Sequence, residues 1–252
     1  MGKTYVFVNQ KGGVGKTTSA INIGSYLAEA GKSVLLVDFD SQANLTSGVG
    51  ADGRKDGIYQ LLSGTAVFDS VVQATSVPGL SVIPASIDLS GAAVELVELK
   101  DRDFYLKRAL EPARGRYDYV LIDCPPSLGV LTLNGMIAAD EVLIPLQCEY
   151  YALEGLSLLL QTVKRIQKNL NPELTVGGIF FTMYDQRTKL AQDVVRQVTS
   201  YFKDRVFRTI VPRNVRLSEA PSHGVPISQY DAGCVGARSY KSLAEEVLNR
   251  GN

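Results

Sequence analysis

Thr4-Tyr5-Val6-Phe7-Val8-Asn9-Gln10-Lys11-Gly12-Gly13-Val14-Gly15-Lys16-Thr17-Thr18 runs from an apolar β pattern, through a glycine-rich turn, into a helical pattern. A glycine-rich turn between a strand and a helix lets successive backbone N–H groups converge on phosphate oxygens. Glycine suits such a turn because a side chain would block the approach and because some positions need positive φ. The helix that follows adds the positive end of its dipole. Within this segment Lys16 is placed to reach the β and γ phosphates, and the Thr17 hydroxyl to ligate Mg²⁺.

Outward from that loop, short apolar runs alternate with longer amphipathic stretches. Tyr5–Val8, Ser33–Val37, Leu80–Ile83, Tyr119–Ile122, Glu141–Leu146, Val176–Phe181 and Phe207–Val211 read as strands, most of them continuously apolar and so buried on both faces. Thr18–Ala30 reads as a helix stopped by Gly31, and Leu153–Leu170 as one stopped by Pro172. Leu190–Phe202 and Ala237–Leu248 show similar patterns. The rhythm predicts an α/β fold, a mostly parallel twisted sheet with helices on both faces, in one domain over residues 1–252. Residues 51–115 are the least regular.

Two strand ends carry carboxylates, where ligands of open α/β sheets bind. Val37-Asp38-Phe39-Asp40 places two aspartates two apart, on one face if the extended geometry continues. Asp38 reads equally well as a structural carboxylate. Leu121-Ile122-Asp123-Cys124-Pro125-Pro126 ends a second strand in an aspartate suited to holding Mg²⁺ through water. Thr17 and Asp123 are therefore magnesium-side candidates, and Asp38 and Asp40 could both point at the phosphate end.

The composition is that of an ordinary globular chain: 252 residues, 45% hydrophobic and 21% charged. Lys+Arg and Asp+Glu both number 26, so no overall charge advertises an anionic partner. The balance is uneven along the chain. Residues 187–252 carry 11 basic and 6 acidic side chains, which makes this quarter the place for an anion to dock. Three scattered cysteines (Cys124, Cys148, Cys234) form neither a disulfide framework nor a metal-ligand spacing, and Cys124 reads as a small buried residue. His223 stands alone, so no histidine-based metal site or triad arises. No secretory signal and no spanning apolar run is present, which reads as cytoplasmic.

The ordinary phosphate-loop pattern needs a glycine where Gln10 stands; what stands instead is Lys-Gly-Gly-Val-Gly-Lys-Thr-Thr, with a second lysine at position 11. This resembles the deviant Walker A group of P-loop ATPases, which includes ParA/Soj partition proteins, MinD, nitrogenase iron protein and arsenical-pump ATPases. Pro125-Pro126-Ser127-Leu128-Gly129, the run Gln147-Cys148-Glu149-Tyr150-Tyr151-Ala152-Leu153-Glu154-Gly155-Leu156, and the run from Pro212-Arg213-Asn214-Val215-Arg216 to Gly224 all look like the chromosomal ParA/Soj type.

That resemblance implies a P-loop NTPase fold and an ATPase of chromosome or plasmid partition using ATP and Mg²⁺. It implies nucleotide contacts from Lys11, Gly12, Gly13, Val14, Gly15, Lys16, Thr17, Thr18, Pro212 and Asn214. Lys11 matches the lysine that crosses to the partner subunit's nucleotide. Lys11, Lys16 and Asp40 are the expected catalytic residues, Asp40 as the one that orients the attacking water. It further implies an ATP-dependent homodimer that binds DNA non-specifically, is associated with the nucleoid, and is stimulated by a ParB/Spo0J-like protein. Arg187 and Arg216 match DNA-contacting arginines; Lys189, Arg213, Arg238 and Lys241 are further candidates from the basic quarter.

The resemblance also marks departures. Ala232-Gly233-Cys234-Val235-Gly236-Ala237 stands where the family commonly has proline and small or basic residues, which puts the DNA surface in question. With the first strand starting at residue 4, no helix-turn-helix for site-specific operator binding is expected ahead of it. A MinD-like, membrane-associated division-site regulator is the alternative. The amphipathic pattern of Tyr240, Leu243, Ala244, Val247 and Leu248, with Glu245 and Glu246 beside it, favours packing on the core over a membrane.

Overall fold

The computed structural model describes residues 2–98 and 101–251. Eight strands form one sheet in the order β3-β4-β2-β5-β1-β6-β7-β8. They are β1 (Lys3–Phe7), β2 (Val34–Asp38), β3 (Gln73–Ala74), β4 (Leu80–Ile83), β5 (Tyr119–Asp123), β6 (Glu141–Gln147), β7 (Thr175–Tyr184) and β8 (Val206–Pro212). All pairings are parallel except the short edge pair β3–β4. The seven expected strands are all present. β3 is an addition within the irregular stretch.

The alternation of side chains along each strand sorts the core into two layers. Tyr5, Phe7, Val34, Leu36, Tyr119 and Leu121 face one side, packed by α1 (Lys16–Glu29) and the helix Val235–Gly251. Val6, Val8, Leu35, Val37, Val120 and Ile122 face the other, beneath the helices Leu89–Glu98, Val130–Ala138 and Ala152–Asn169. Burying each such aliphatic side chain is worth about 1.5–3 kcal/mol, so the two faces together hold the sheet between its helices. α1 lies close against β2: a Cβ on Gly24 would come 2.8 Å from Leu36 Cδ2. Tyr240, Leu243, Ala244 and Val247 of the helix Val235–Gly251 are buried in this layer, and Tyr240 shares a hydrogen bond of 2.9 Å with Ser19 of α1. No helix among the described residues is long and apolar enough to cross a membrane.

The topology positions the site. β1 is central, with β5 on one side and β6 on the other, while the chain leaves β1 through α1 to reach β2, beyond β5. The turns after β1, β2 and β5 therefore open at the same sheet edge, where α/β proteins bind ligands. Phe7 is level with Asp123, and Asp123 with Asp38.

Candidate functional site

The loop Asn9–Gly15 leaves β1 and delivers α1, which starts at Lys16. Gly13 (φ 72°) and Gly15 (φ 87°) take the left-handed conformation. A Cβ on Gly13 would meet nothing within 4 Å, so the dihedral and the open face of the loop require glycine there, not crowding. From behind, the loop is braced by groups not singled out in the sequence. Thr182 of β7 donates its hydroxyl to the Val14 carbonyl at 2.8 Å. Asn9 donates to Pro145 O at 2.8 Å and accepts from the Lys11 N–H at 3.0 Å. Such pairings become visible only once β6 lies beside β1 and β7 beside β6.

Lys16 is buried, with its ammonium 3.5 Å from Lys11 O. Desolvation holds its pKa below the ordinary lysine value, opposed by Asp123, Cys124 and Asp40 nearby. The Thr17 hydroxyl donates to Asp123 Oδ2 at 2.6 Å. Asp123 Oδ1 is the one buried side-chain polar atom without a partner among the described residues. Burial, then the charge of Asp38, raises the Asp123 pKa; the Thr17 hydrogen bond and Lys16 pull it down. Leaving such an oxygen unpaired costs about 1–3 kcal/mol, and a bound cation would satisfy it. A hydroxyl in the first turn of α1 and the buried carboxylate it meets fit a hard cation such as Mg²⁺, which keeps waters and takes few protein ligands. Beyond Asp123, Pro126 Cβ lies 3.8 Å from where a Cβ on Gly12 would stand, so the turn after β5 walls the loop. Cys124 is buried, as expected, and its thiol is pushed well up by burial.

The two aspartates have different surroundings. β2 ends at Asp38, and Asp40 lies in the bend beyond it. Asp38 is fully buried, and its Oδ2 accepts both the N–H (2.8 Å) and the hydroxyl (2.6 Å) of Thr46. Its Oδ1 accepts the Asp40 N–H at 3.3 Å. Burial pushes the Asp38 carboxyl up to about 6, against the pull of those hydrogen bonds. Asp40 lies in the turn, partly exposed, its carboxylate accepting the local Gln42 N–H at 3.1 Å and no other hydrogen bond among the described residues.

Lys11 forms an ion pair with Glu149 of its own chain, both side chains about half exposed. They border a pocket of about 380 Å³ lined also by Leu146, Tyr151, Leu156 and Leu158. Tyr150 and Tyr151 stand out from it, 76% and 72% exposed.

Pro212 ends β8 level with Tyr184, two residues past Thr182, so it borders the same sheet edge as the loop. Asn214 accepts the Arg216 N–H on its side chain at 2.9 Å and so caps the short turn that follows.

The basic candidates are all exposed. Arg187 forms a two-pronged pair with Asp185 (2.8 and 2.6 Å). Arg213 joins that turn through its N–H to Tyr184 O at 3.1 Å, and Lys189 opens the helix Lys189–Phe202 just beyond it. Arg216 pairs with Glu219 at 2.8 Å and approaches Asp231 at 3.5 Å. Arg238 bonds the Gly233 carbonyl, in the stretch where the family departs, and Lys241 follows one turn along the same helix. His223 stacks on Tyr230 with ring centroids 4.9 Å apart, a packing role.

A family model described as an AAA domain matches residues 2–176. The chain is 68% identical over 250 residues to the chromosome-partitioning ATPase Soj of Treponema pallidum, covering 99% of this chain and 98% of that one. It is 53% identical, over the whole of both chains, to the sporulation initiation inhibitor protein Soj of Bacillus subtilis. The crystal structure of cobyrinic acid a,c-diamide synthase from Mycobacterium smegmatis, solved with an ATP analogue and magnesium, superposes with a TM-score of 0.86 at 37% identity, covering 99% of this chain and 95% of that one. The sheet order, the glycine loop with its second lysine, and these likenesses together place the chain in the ParA/Soj family of chromosome-partitioning ATPases.

Proposed function

We propose that this chain binds Mg²⁺–ATP in the loop 11–18, pairs with a second copy of itself, holds DNA without sequence preference in that state, and releases it on hydrolysis. The observation that carries the reading is the buried Asp123, with one oxygen on Thr17, in the turn that follows the glycine loop, and the other unpartnered among the described residues. In this reading the N–H groups from Gly12 to Thr18 and the Lys16 ammonium grip the phosphates. Lys16 arrives already stripped of water, so little reorganisation remains when the anion binds. Thr17 and Asp123 hold the cation, with Asp40 on its open side; Mg²⁺ itself would neutralise phosphate charge. Asp40, free of strong partners, orients the attacking water. Pro212 and Asn214 flank the base.

Lys11 leaves Glu149 for the second copy's phosphates. The exposed tyrosines and the apolar pocket beside it support a protein surface there, because a patch of this kind at the rim of a site is the usual mark of an interface. Arg187, Lys189, Arg213, Arg216, Arg238 and Lys241 supply phosphate contacts to DNA, which places the protein on the nucleoid. A ParB/Spo0J-like protein is the stimulator that the family resemblance implies. Retention on a DNA-coated surface tests the whole cycle. Wild type should be retained with Mg²⁺–ATP, and released with ADP or EDTA, while Lys16→Ala should not be retained. Equal retention in all of these would contradict the reading.

A further inference from the structure

One carboxylate closes both ends of the segment that carries Asp40. Asp38 Oδ1 takes the Asp40 N–H, and Asp38 Oδ2 takes the N–H and hydroxyl of Thr46. The Thr46 hydroxyl is fixed from its other side as well, accepting the Ala85 N–H at 2.9 Å. Asp38 and Thr46 are both buried, so no water competes for these bonds, and a hydroxyl held as donor and as acceptor has no rotation left.

Between the two ends the chain is strained. Ala43 takes a left-handed conformation (φ 52°), which a non-glycine residue adopts only when its surroundings impose it. Past Thr46 the chain is packed against α1: a Cβ on Gly48 would come 2.7 Å from Ile21 Cδ1. A Cβ on Gly50 would come 3.0 Å from Gly224 O. α1 is the helix whose first turn carries Lys16 and Thr17. Asp40 is thus suspended between the end of β2 and a segment seated on the helix that presents the phosphate-binding side chains.

We infer that Thr46, clamped on Asp38, is a positioning residue for ATP hydrolysis: it sets where the Asp40 carboxylate stands relative to Lys16 and Thr17. The inference rests on the proposed water-orienting role of Asp40. The side-chain hydrogen bonds of Thr46 go to Asp38 and Ala85 and not to the phosphate loop, so its effect on hydrolysis runs through Asp40. Removing its hydroxyl frees the 40–46 turn while leaving the loop 11–18 intact, and displacement of a catalytic group by about 1 Å can cost 10²-fold in rate.

The test compares steady-state hydrolysis and nucleotide binding of the full chain in wild type, Thr46→Val, Thr46→Ser and Asp40→Ala. Thr46→Ala, which adds no methyl group to the dry pocket, stands in if Thr46→Val fails to fold. The expected result is a kcat lower by about 10- to 100-fold in Thr46→Val, with KM and nucleotide affinity little changed. Thr46→Ser, which restores the hydroxyl, should recover most of the kcat. A wild-type kcat in Thr46→Val beside an inactive Asp40→Ala overturns the clamp and leaves the Asp40 role standing. A loss of kcat and nucleotide affinity together, without rescue by serine, makes Thr46 merely structural and overturns it too. Hydrolysis at the wild-type rate by Asp40→Ala removes the role on which the inference is built.

Discussion

The Thr17 hydroxyl donates to one oxygen of Asp123 at 2.6 Å, and the other oxygen of the same carboxylate is buried with no partner among the described residues. A carboxylate kept dry, half satisfied and close to Asp38 is held there at a cost to the folded chain. Asp123→Asn should therefore raise the stability of the nucleotide-free protein, by about 1 kcal/mol, while abolishing Mg²⁺-dependent hydrolysis. Denaturant midpoints and phosphate release measure the two effects. Equal or lower stability together with retained turnover would show that the oxygen is not reserved for a cation.

Among the described residues the Asp40 carboxylate has the Gln42 N–H as its one hydrogen-bond partner, so replacing it disturbs little else. Asp40→Ala should bind ATP as wild type does and hydrolyse it about 10²-fold or more slowly. Single-turnover hydrolysis separates binding from chemistry here. Turnover at the wild-type rate would remove Asp40 from the mechanism.

Both leading DNA candidates hold a carboxylate in the free chain: Arg187 pairs with Asp185, and Arg216 with Glu219. DNA phosphates must displace these partners. Arg187→Glu combined with Arg216→Glu should weaken DNA binding and reduce the slope of log affinity against log salt by about 2 for each chain of the DNA-bound pair, leaving dimerisation unchanged. Asp185→Asn should strengthen binding by freeing Arg187. Titrations at several salt concentrations decide it; an unchanged slope would clear both arginines.

Asp38 makes stability pH-dependent. Its carboxyl is raised to about 6 in the folded chain against an ordinary value of 3.8. Below about pH 4 it is protonated in both states and costs nothing. As pH rises from about 4 to about 6 the unfolded chain releases its proton first, so the folded state loses up to about 2–3 kcal/mol, fully felt above that range. Asp38→Asn should remove this loss. The stability difference between the variant and wild type should therefore shift in favour of the variant between pH 4 and pH 6.5. A constant difference across that range would contradict a raised carboxyl.

Much of this was legible in the sequence, for identifiable reasons. Val34–Asp38 and Tyr119–Asp123 are unbroken apolar runs ending in an acid, the pattern of strands covered on both faces with their ends at a site. The loop declared itself through glycines whose positive φ the structure bears out at Gly13 and Gly15. β3 was not legible, because two residues, Gln73 and Ala74, carry no periodicity. The helix Val130–Ala138 also escaped. It is buried almost all round, so no polar face marks its turns, and a Cβ on its Gly135 would press on Cys124 Sγ at 2.6 Å. Helix α1 starts at Lys16, two residues before the expected Thr18, because the left-handed Gly15 sets its first turn. Thr182, Asn9 and Thr46 are ordinary polar residues in sequence. Their roles arise from partners at Val14, Pro145 and Asp38, which tertiary structure alone supplies to Thr182 and Asn9, and a turn of the chain to Thr46.

In the proposed cycle, nucleotide in this loop draws in a second copy through Lys11. Sedimentation velocity of Asp40→Ala with Mg²⁺–ATP, beside the double variant Lys11→Ala/Asp40→Ala, tests it most directly. The mass of two chains is expected for the first and of one chain for the second. One-chain mass for both, or two-chain mass regardless of Lys11, would contradict it.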